Sequence, residues 1–532
     1  MGVGSNIAAF AVLVGLLSSC PASAKTLVFC SEADPESLNP QTVTSVTGMN
    51  ASDPMFEGLV QFRPGGGEIL PALAESWDIS PDGMTYTFRL RRGVKFHSHN
   101  GFSPSREFNA DDVLFAFDRQ WRADNPYHHP QNGSFDYFQD MDFANLLRAI
   151  EKLDDYTIRF VLSHAEAPFL ADLAMPFARV LSAEYAATLL KAGTPELLDT
   201  QPVGTGPFVF ESYRKDMSIR YRAFDAYWAG RPAIDTLVFS ITPNVAVRLT
   251  KLKAGECNLI SFPSPADAAK IEADPKLTLL RQEGLNVAYM AMNATRPPFS
   301  DVRVRRAVNL AIDKATIIRA VYGPGGTAAK NPLPPSLWSF NAAVEPYPYD
   351  PVAAQRLMAE AGVDKGLEVD LWYMPVTRAY NPDSKRVAEM VADDLSRIGI
   401  RTKLRTAPWP EYRAKVLAGE TSLAFYGWTS DNGDPDNFLG ILLGCHDGVA
   451  SANNIAKWCD PAYNKLIDRA KLNADVGQRT KLYAEAQVVA HDQAPWVPIA
   501  HANVLAAMRK NVKGFTLDPF GRFLFGGVDL VD

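Results

Sequence analysis

With 532 residues, 47% of them hydrophobic and 21% charged, the chain exceeds what one hydrophobic core organises and reads as two or three folded domains. Its net charge of −7 leaves no basic excess for tracking phosphates, which excludes nucleic acid as a partner. Beyond the N-terminal signal, no stretch reaches the run of about 18 apolar residues that a membrane span needs.

In chain order, residues 7–17 (IAAFAVLVGLL) form an apolar run too short to span a bilayer, followed by Ala22-Ser23-Ala24, a small-x-small cleavage pattern. Residues 1–24 therefore read as an export signal with Lys25 as the mature start, although residues 1–6 lack the usual Lys or Arg. Leu17-Ser18-Ser19-Cys20 also resembles a lipoprotein box, with lipidation at Cys20 as the alternative outcome. Residues 25–30 (KTLVFC) predict a short buried strand. Ser80-Pro81-Asp82-Gly83 is a turn, and residues 84–90 (MTYTFRL) alternate as a half-exposed strand. Asn109 caps a helix predicted over 109–120, with acids in its first turn. Residues 203–208 (VGTGPF) predict an abrupt bend. Strands resume at 218–222 and 236–241, then at 284–292 (GLNVAYMAM), followed by an amphipathic helix over 301–315. Helices at 350–361 and 384–398 alternate with strands at 367–372, 401–406 and 422–426, which predicts an α/β lobe.

Two segments carry the candidate chemistry. Residues 427–438 (GWTSDNGDPDNF) hold two glycines and a proline, read as a turn that continues neither helix nor strand. It presents Asp431 beside Trp428, with Asp434 and Asp436 read as turn-forming. About fifty residues earlier, residues 374–382 (MPVTRAYNP) present Arg378 and Tyr380. One anion and one cation on separate rigid loops suit a small zwitterion such as an amino acid or peptide.

The mature chain has four cysteines, Cys30, Cys257, Cys445 and Cys459, which allow three pairings in an oxidising compartment. Cys445 with Cys459 is the local choice, leaving Cys30 for Cys257; buried free thiols are the alternative. No Gly-x-Ser-x-Gly elbow, His-Glu-x-x-His pair or Walker loop is present. Metal binding by His97 and His99, or by His128 and His129, is the minor alternative, with His491 and His501 read as structural.

The segments AESWDISPDGMTYTFRLRRGVKFH, FNADDVLFAFDR, VGTGPF, DVRVRRAVNLAIDK and YDPVAAQRLMAEAG resemble the family 5 solute-binding proteins of ABC importers across nearly the whole mature chain. KTLVFCSE, PYHHPQNGSFDYF, APFLADLAMPFA, AFDAYW, DTLVFSITP, MPVTRAYNP, GWTSDNGDPDNF and VVAHDQAP narrow the resemblance to dipeptide-capturing members. The resemblance implies an α/β, periplasmic-binding-protein-like fold (type II, cluster C) of three lobes. The first lobe would comprise residues 25–57, 206–284 and 503–532; the second 58–205; the third 285–502. The ligand would sit between the first and third lobes, with VGTGPF and GLNVAY as the two hinge crossings. Asp431 would hold the ligand's ammonium and Arg378 its carboxylate; Trp428 and Tyr380 would line side-chain pockets, and Thr44 and Ser45 would add first-lobe contacts. Ala379 follows Arg378 where the resemblance leads one to expect proline, removing one backbone constraint. The same disulfides, Cys30–Cys257 and Cys445–Cys459, are implied. The expected function is that of a monomeric periplasmic receptor, not an enzyme, holding neither cofactor nor metal. It would capture dipeptides and deliver them to an inner-membrane ABC permease. Oligopeptides, haem, nickel, opines or oligosaccharides are the other ligands known in the family, and a zwitterion-processing hydrolase is the rival from another class.

Overall fold

Residues 286–292 (NVAYMAM) are buried without exception, which places them inside a sheet rather than at its edge. In the computed structural model they pair antiparallel with Leu423–Thr429 on one side and with the long strand Trp496–Arg509 on the other. The structure describes residues 1–2, 24–99, 101–130, 134–363, 366–446 and 448–531. The apolar run of the expected export signal and Cys20 lie outside them. No helix of the described residues is long and apolar enough to cross a membrane.

Trp496–Arg509 is the spine of a 12-stranded sheet. On one side of it lie Asn286–Met292, Leu423–Thr429, Leu367–Trp372 and Ile400–Arg405; on the other lie Leu259–Ser261, Thr26–Ser31, Thr236–Ile241, Ser218–Ala223 and Phe208–Arg214. Thr26–Ser31 runs parallel to both of its neighbours, and Leu367–Trp372 runs parallel to both of its own. A separate antiparallel sheet is built from Ala74–Ile79, Thr85–Leu90, Thr157–Leu162 and Leu147–Asp154. Beside it, helix Ala110–Trp121 starts at Asn109 in a capping box with Asp112.

Both expected disulfides are formed, with Cα–Cα distances of 5.9 Å for Cys30–Cys257 and 5.6 Å for Cys445–Cys459. The helix expected over 301–315 is two pieces, Val302–Ala311 and Lys314–Ile317, because Asp313 caps a second start by accepting from the Thr316 amide.

One expectation about crossings is overturned. The two halves of the large sheet are joined at 283–286 and 502–503, where Asn286 locks the strands together. Its amide donates to the Ala502 carbonyl at 2.8 Å and accepts from the Ala502 amide at 2.9 Å. VGTGPF is not part of this passage. It packs on Pro54 and Met55 through Gly206 N→Met55 O at 2.9 Å and Phe208 N→Pro54 O at 3.0 Å. A Cβ at Gly204 would lie 2.0 Å from the Met55 carbonyl oxygen, so only glycine permits this approach. Thr205 adds a bond to buried Glu57 at 2.8 Å. The resemblance implied a hinge crossing here; the glycines form the predicted bend and serve close packing.

Candidate functional site

Strands Ile400–Arg405 and Leu367–Trp372 run parallel and end level, Trp372 opposite Arg405, while parallel Leu423–Thr429 starts where they end, Ala424 opposite Trp372, and runs on to Thr429. Ligands of open α/β sheets are held at such carboxyl edges. The loop after the middle strand carries Arg378, and the loop after the third carries Asp431.

The 427–438 segment is less irregular than its glycines and proline suggest. The strand runs on through Thr429, with Trp428 opposite Val287, and a helix begins at Asp436. Only residues 430–435 are turn. Pro435 sits at the helix start, where its missing N–H is no loss. Gly427 stays in the strand because the Tyr380 ring covers it; a Cβ there would lie 2.3 Å from that ring.

Asp431 is half-buried at the turn. Its Oδ1 accepts from the Tyr137 hydroxyl at 2.9 Å, and its Oδ2 from the Asn437 amide at 3.1 Å. Asn437 Oδ1 in turn accepts from the Asp431 backbone at 3.0 Å and from the Trp428 indole at 2.8 Å, which fixes ring and carboxylate as one unit. Both donors to the Asp431 carboxylate are neutral. Burial pushes its carboxyl up to about 6, against the lowering effect of those two bonds. An ionised carboxylate accepts roughly four hydrogen bonds, so capacity for a cation remains. The Tyr137 hydroxyl also lies 3.5 Å from the Thr44 carbonyl, so residues 44, 137 and 431 converge from distant parts of the chain.

Arg378 is exposed on a turn closed by two backbone bonds to Asn381, at 3.1 and 3.0 Å. That closure supplies the rigidity that proline at Ala379 would have given. Its guanidinium donates to the Thr377 carbonyl at 3.3 Å and interacts with the Tyr380 hydroxyl. Tyr380 is buried, and its carbonyl accepts from Tyr322 at 3.0 Å. Arg378 and Asp431 thus stand on loops that follow two paired parallel strands, with Tyr380 packed over Gly427 and Trp428 tied to Asp431 through Asn437. Ser45 is engaged elsewhere, since it caps helix Val46–Ser52 by accepting from Gly48 at 3.1 Å and donates to Glu36 at 2.6 Å. Thr44 is exposed.

Sequence reasoning missed Tyr137 and Asn437. Tyr137 lies on the five-residue helix Asp136–Asp140, too short for a periodic signal. Asn437 is the second residue of helix Asp436–Leu443 and reaches back across Pro435, a contact that neither spacing nor composition announces.

Beyond Asp431 the same turn is tied by charge to helix Val476–Gln493 and by a hydrogen bond to Asp172. Arg479 donates to both oxygens of Asp434 at 2.8 Å, and Asp434 accepts from the Asp436 amide at 2.9 Å. Asn432 donates to buried Asp172 at 2.8 Å. Lys471 lies 3.3 Å from Glu166 and 3.8 Å from Asp436. Burial pushes the Glu166 carboxyl up to about 7 and that of Asp172 well above the usual carboxylate range.

The histidines are engaged in structure. Burial holds His97 down to about 4; its ring bonds the Gly206 carbonyl at 2.8 Å, and His99 bonds Gln201 at 2.9 Å. Among the described residues no cluster of three or more His, Cys, Asp or Glu is arranged to hold a metal ion.

Comparison with known proteins fits this geometry. The family described as bacterial extracellular solute-binding proteins, family 5 Middle, matches residues 68–449. The dipeptide-binding protein of Escherichia coli (strain K12) is 48% identical over 519 residues, 97% of each chain. Heme-binding protein A of Haemophilus influenzae is 48% identical over 509 residues, 96% of this chain and 93% of that one. A dipeptide binding protein from Pseudoalteromonas sp. SM9913, crystallised with Met-Leu, superposes with a TM-score of 0.85 at 37% identity, covering 95% of this chain and 100% of that one. The periplasmic-binding-protein-like α/β class expected from the sequence is the fold observed.

Proposed function

Because this chain belongs to the family 5 bacterial extracellular solute-binding proteins, we propose that it is the dipeptide receptor of an ABC importer. One observation carries the reading: a carboxylate, Asp431, sits at the carboxyl end of a parallel strand, its donors among the described residues both neutral, one loop away from Arg378. The ligand's ammonium adds three charged donors to Asp431. Its carboxylate lies in the fork of the Arg378 guanidinium through two parallel hydrogen bonds, a geometry lysine does not offer.

Trp428 and Tyr380 flank the space between the two anchors, and the Thr44 region closes it from the first lobe through Tyr137. The three lobes are those outlined above: residues 25–57, 206–284 and 503–532; 58–205; and 285–502. The crossings at 283–286 and 502–503 serve as the hinge of the clamp. The ligand favours the closed form by contacting both sides, in proportion to its differential affinity for the two forms. Exported to the periplasm and cleaved near Ala24, the monomeric protein hands its cargo to an inner-membrane permease without chemical change. No cofactor takes part.

The test is a calorimetric titration against peptides of two to five residues, their N-acetylated forms, and haem. Free dipeptides are expected to bind best and N-acetylated ones poorly, because acetylation removes the charge that Asp431 neutralises. Equal binding of free and acetylated forms overturns the reading, as does tight haem binding without peptide binding. Turnover of a bound dipeptide would replace it with a peptidase.

A further inference from the structure

Three contacts outside the proposed ligand site join residues 58–205 to residues 285–502. The Ala167 amide donates to the Lys471 carbonyl at 2.8 Å, Asn432 donates to the Asp172 carboxylate at 2.8 Å, and the Lys471 ammonium lies 3.3 Å from Glu166. In the three-lobe outline these contacts run between the second and third lobes. The two-anchor scheme gives them no role.

The junction is short of positive charge. Glu166, Asp172, Asp434 and Asp436 are all buried. Arg479 reaches both oxygens of Asp434 at 2.8 Å, with the Tyr483 hydroxyl 3.5 Å from the same carboxylate, so that charge is matched. The other three share Lys471, which lies 3.3 Å from Glu166 and 3.8 Å from Asp436 and whose charge also acts on Asp172. Around them, exposed His164 stands 3.7 Å from Glu166 on the same loop, Asp468 adds negative charge near Asp436, and the Tyr86 hydroxyl donates to the Glu166 carbonyl at 3.4 Å. A cleft of about 450 Å³ walled by Asp82, Glu166 and Arg469 opens beside the cluster and gives water a path to it.

One ammonium does not balance three buried carboxylates, and protons make up the difference. Burial pushes the Glu166 carboxyl up to about 7 and holds that of Asp172 well above the usual range. Parted and hydrated, both return toward about 4. The joined form therefore binds more protons; its advantage is full in acid and is lost as pH rises through about 7 for Glu166, and further for Asp172.

We propose that this junction is a proton-sensitive latch, which holds the second and third lobes together without ligand, tightly in acid solution and loosely above neutrality. The proposal goes beyond the dipeptide reading and shares with it only the lobe outline. A form already joined lowers the conformational cost of capture, so the latch sets how much of the closure a ligand must drive.

The experiment is single-molecule energy transfer on the ligand-free mature protein, with one dye on helix Ala183–Ala192 and the other on helix Pro351–Glu360, in steps from about pH 5.5 to 8. The ratio of joined to parted molecules is expected to fall at least about tenfold per pH unit between pH 6 and 7, the slope of one titrating carboxyl. Tyr137 crosses the same junction to Asp431, whose carboxyl is largely spent above about 6, so this interval isolates the latch. Glu166→Gln should take about one decade per pH unit off the slope. Glu166→Gln combined with Asp172→Asn should leave the ratio nearly level and the joined form dominant at pH 8. Thermal unfolding checks that each variant is folded; should the double variant fail, the wild-type series and Glu166→Gln decide. A wild-type ratio that stays flat or rises with pH overturns the proposal, as does a slope that Glu166→Gln leaves unchanged. With no ligand present, failed peptide binding would sink the dipeptide reading and leave the latch standing.

Discussion

Asp431 and Asp434 stand three residues apart in one turn, and the fold treats them in opposite ways. Asp434 has a full cationic partner: Arg479 reaches both of its oxygens at 2.8 Å, and both side chains are buried. Asp431 is held by a phenol and a carboxamide, one per oxygen. A buried carboxylate whose charge is matched inside the protein is a structural member. One held in place by neutral donors keeps its charge for a visitor. Burial raises the cost of that charge, which is why the Asp431 carboxyl is pushed up to about 6. In the proposed receptor role, Asp431 is the charge left without a cationic partner among the described residues, beside Asp434, which has one.

The largest effect should come from breaking the matched pair. Asp434→Ala leaves Arg479 buried without its carboxylate, which typically costs about 3–5 kcal/mol. Denaturant unfolding should show that loss, while a stability change under about 1 kcal/mol would mean the pair is not what holds the turn. At Asp431 the expected pattern is reversed. Asp431→Ala should weaken dipeptide binding about a hundredfold or more, on the scale of an orphaned buried charge. Less than a fivefold loss in calorimetry contradicts the assignment. Asp431→Asn should at the same time raise the melting temperature of the ligand-free protein near neutral pH. A carboxyl raised from about 4 in the unfolded chain to about 6 in the fold is stabilising at low pH, and that contribution is lost as pH rises through this window.

The same shift sets the pH dependence of binding. Only ionised Asp431 pairs with an ammonium, so affinity should fall about tenfold per pH unit below about 6. A profile flat down to about pH 4.5 would show that Asp431 carries no ligand charge. The smallest effect separates positioning from charge. Tyr137→Phe removes one hydrogen bond from a neutral donor to an ionised carboxylate, worth about 1.5–3 kcal/mol, and should weaken binding about tenfold. It should also lower the pH at which affinity begins to fall only if the lost burial outweighs the lost bond; the bond alone predicts a rise. A titration series from pH 5 to 8 gives the sign.

Much of this was legible in the residues themselves. The strand over 236–241, the Asn109 cap and the capped helix near 350–361 follow from alternation and cap chemistry, while the two disulfides follow the local pairing choice and the one the family resemblance implies. Glycine and proline in 203–208 predicted a bend, and the chain bends at 205–207. In 427–438 they suggested a turn throughout, and that reading failed because Gly427 makes room for the Tyr380 ring, as Gly204 does for the Met55 carbonyl. A glycine that frees the backbone and a glycine that admits a neighbour look alike in a sequence.

The chain's own order of residues therefore determined its class, its elements and the pair of opposite charges, because periodicity, caps and turn chemistry act over a few positions. Which charge is matched was decided only in three dimensions. Arg479 lies 45 residues from Asp434, and Tyr137 lies 294 residues from Asp431. Whether a carboxylate is neutralised or left waiting depends on what packing brings to within hydrogen-bond reach, and no local rule carries that distance.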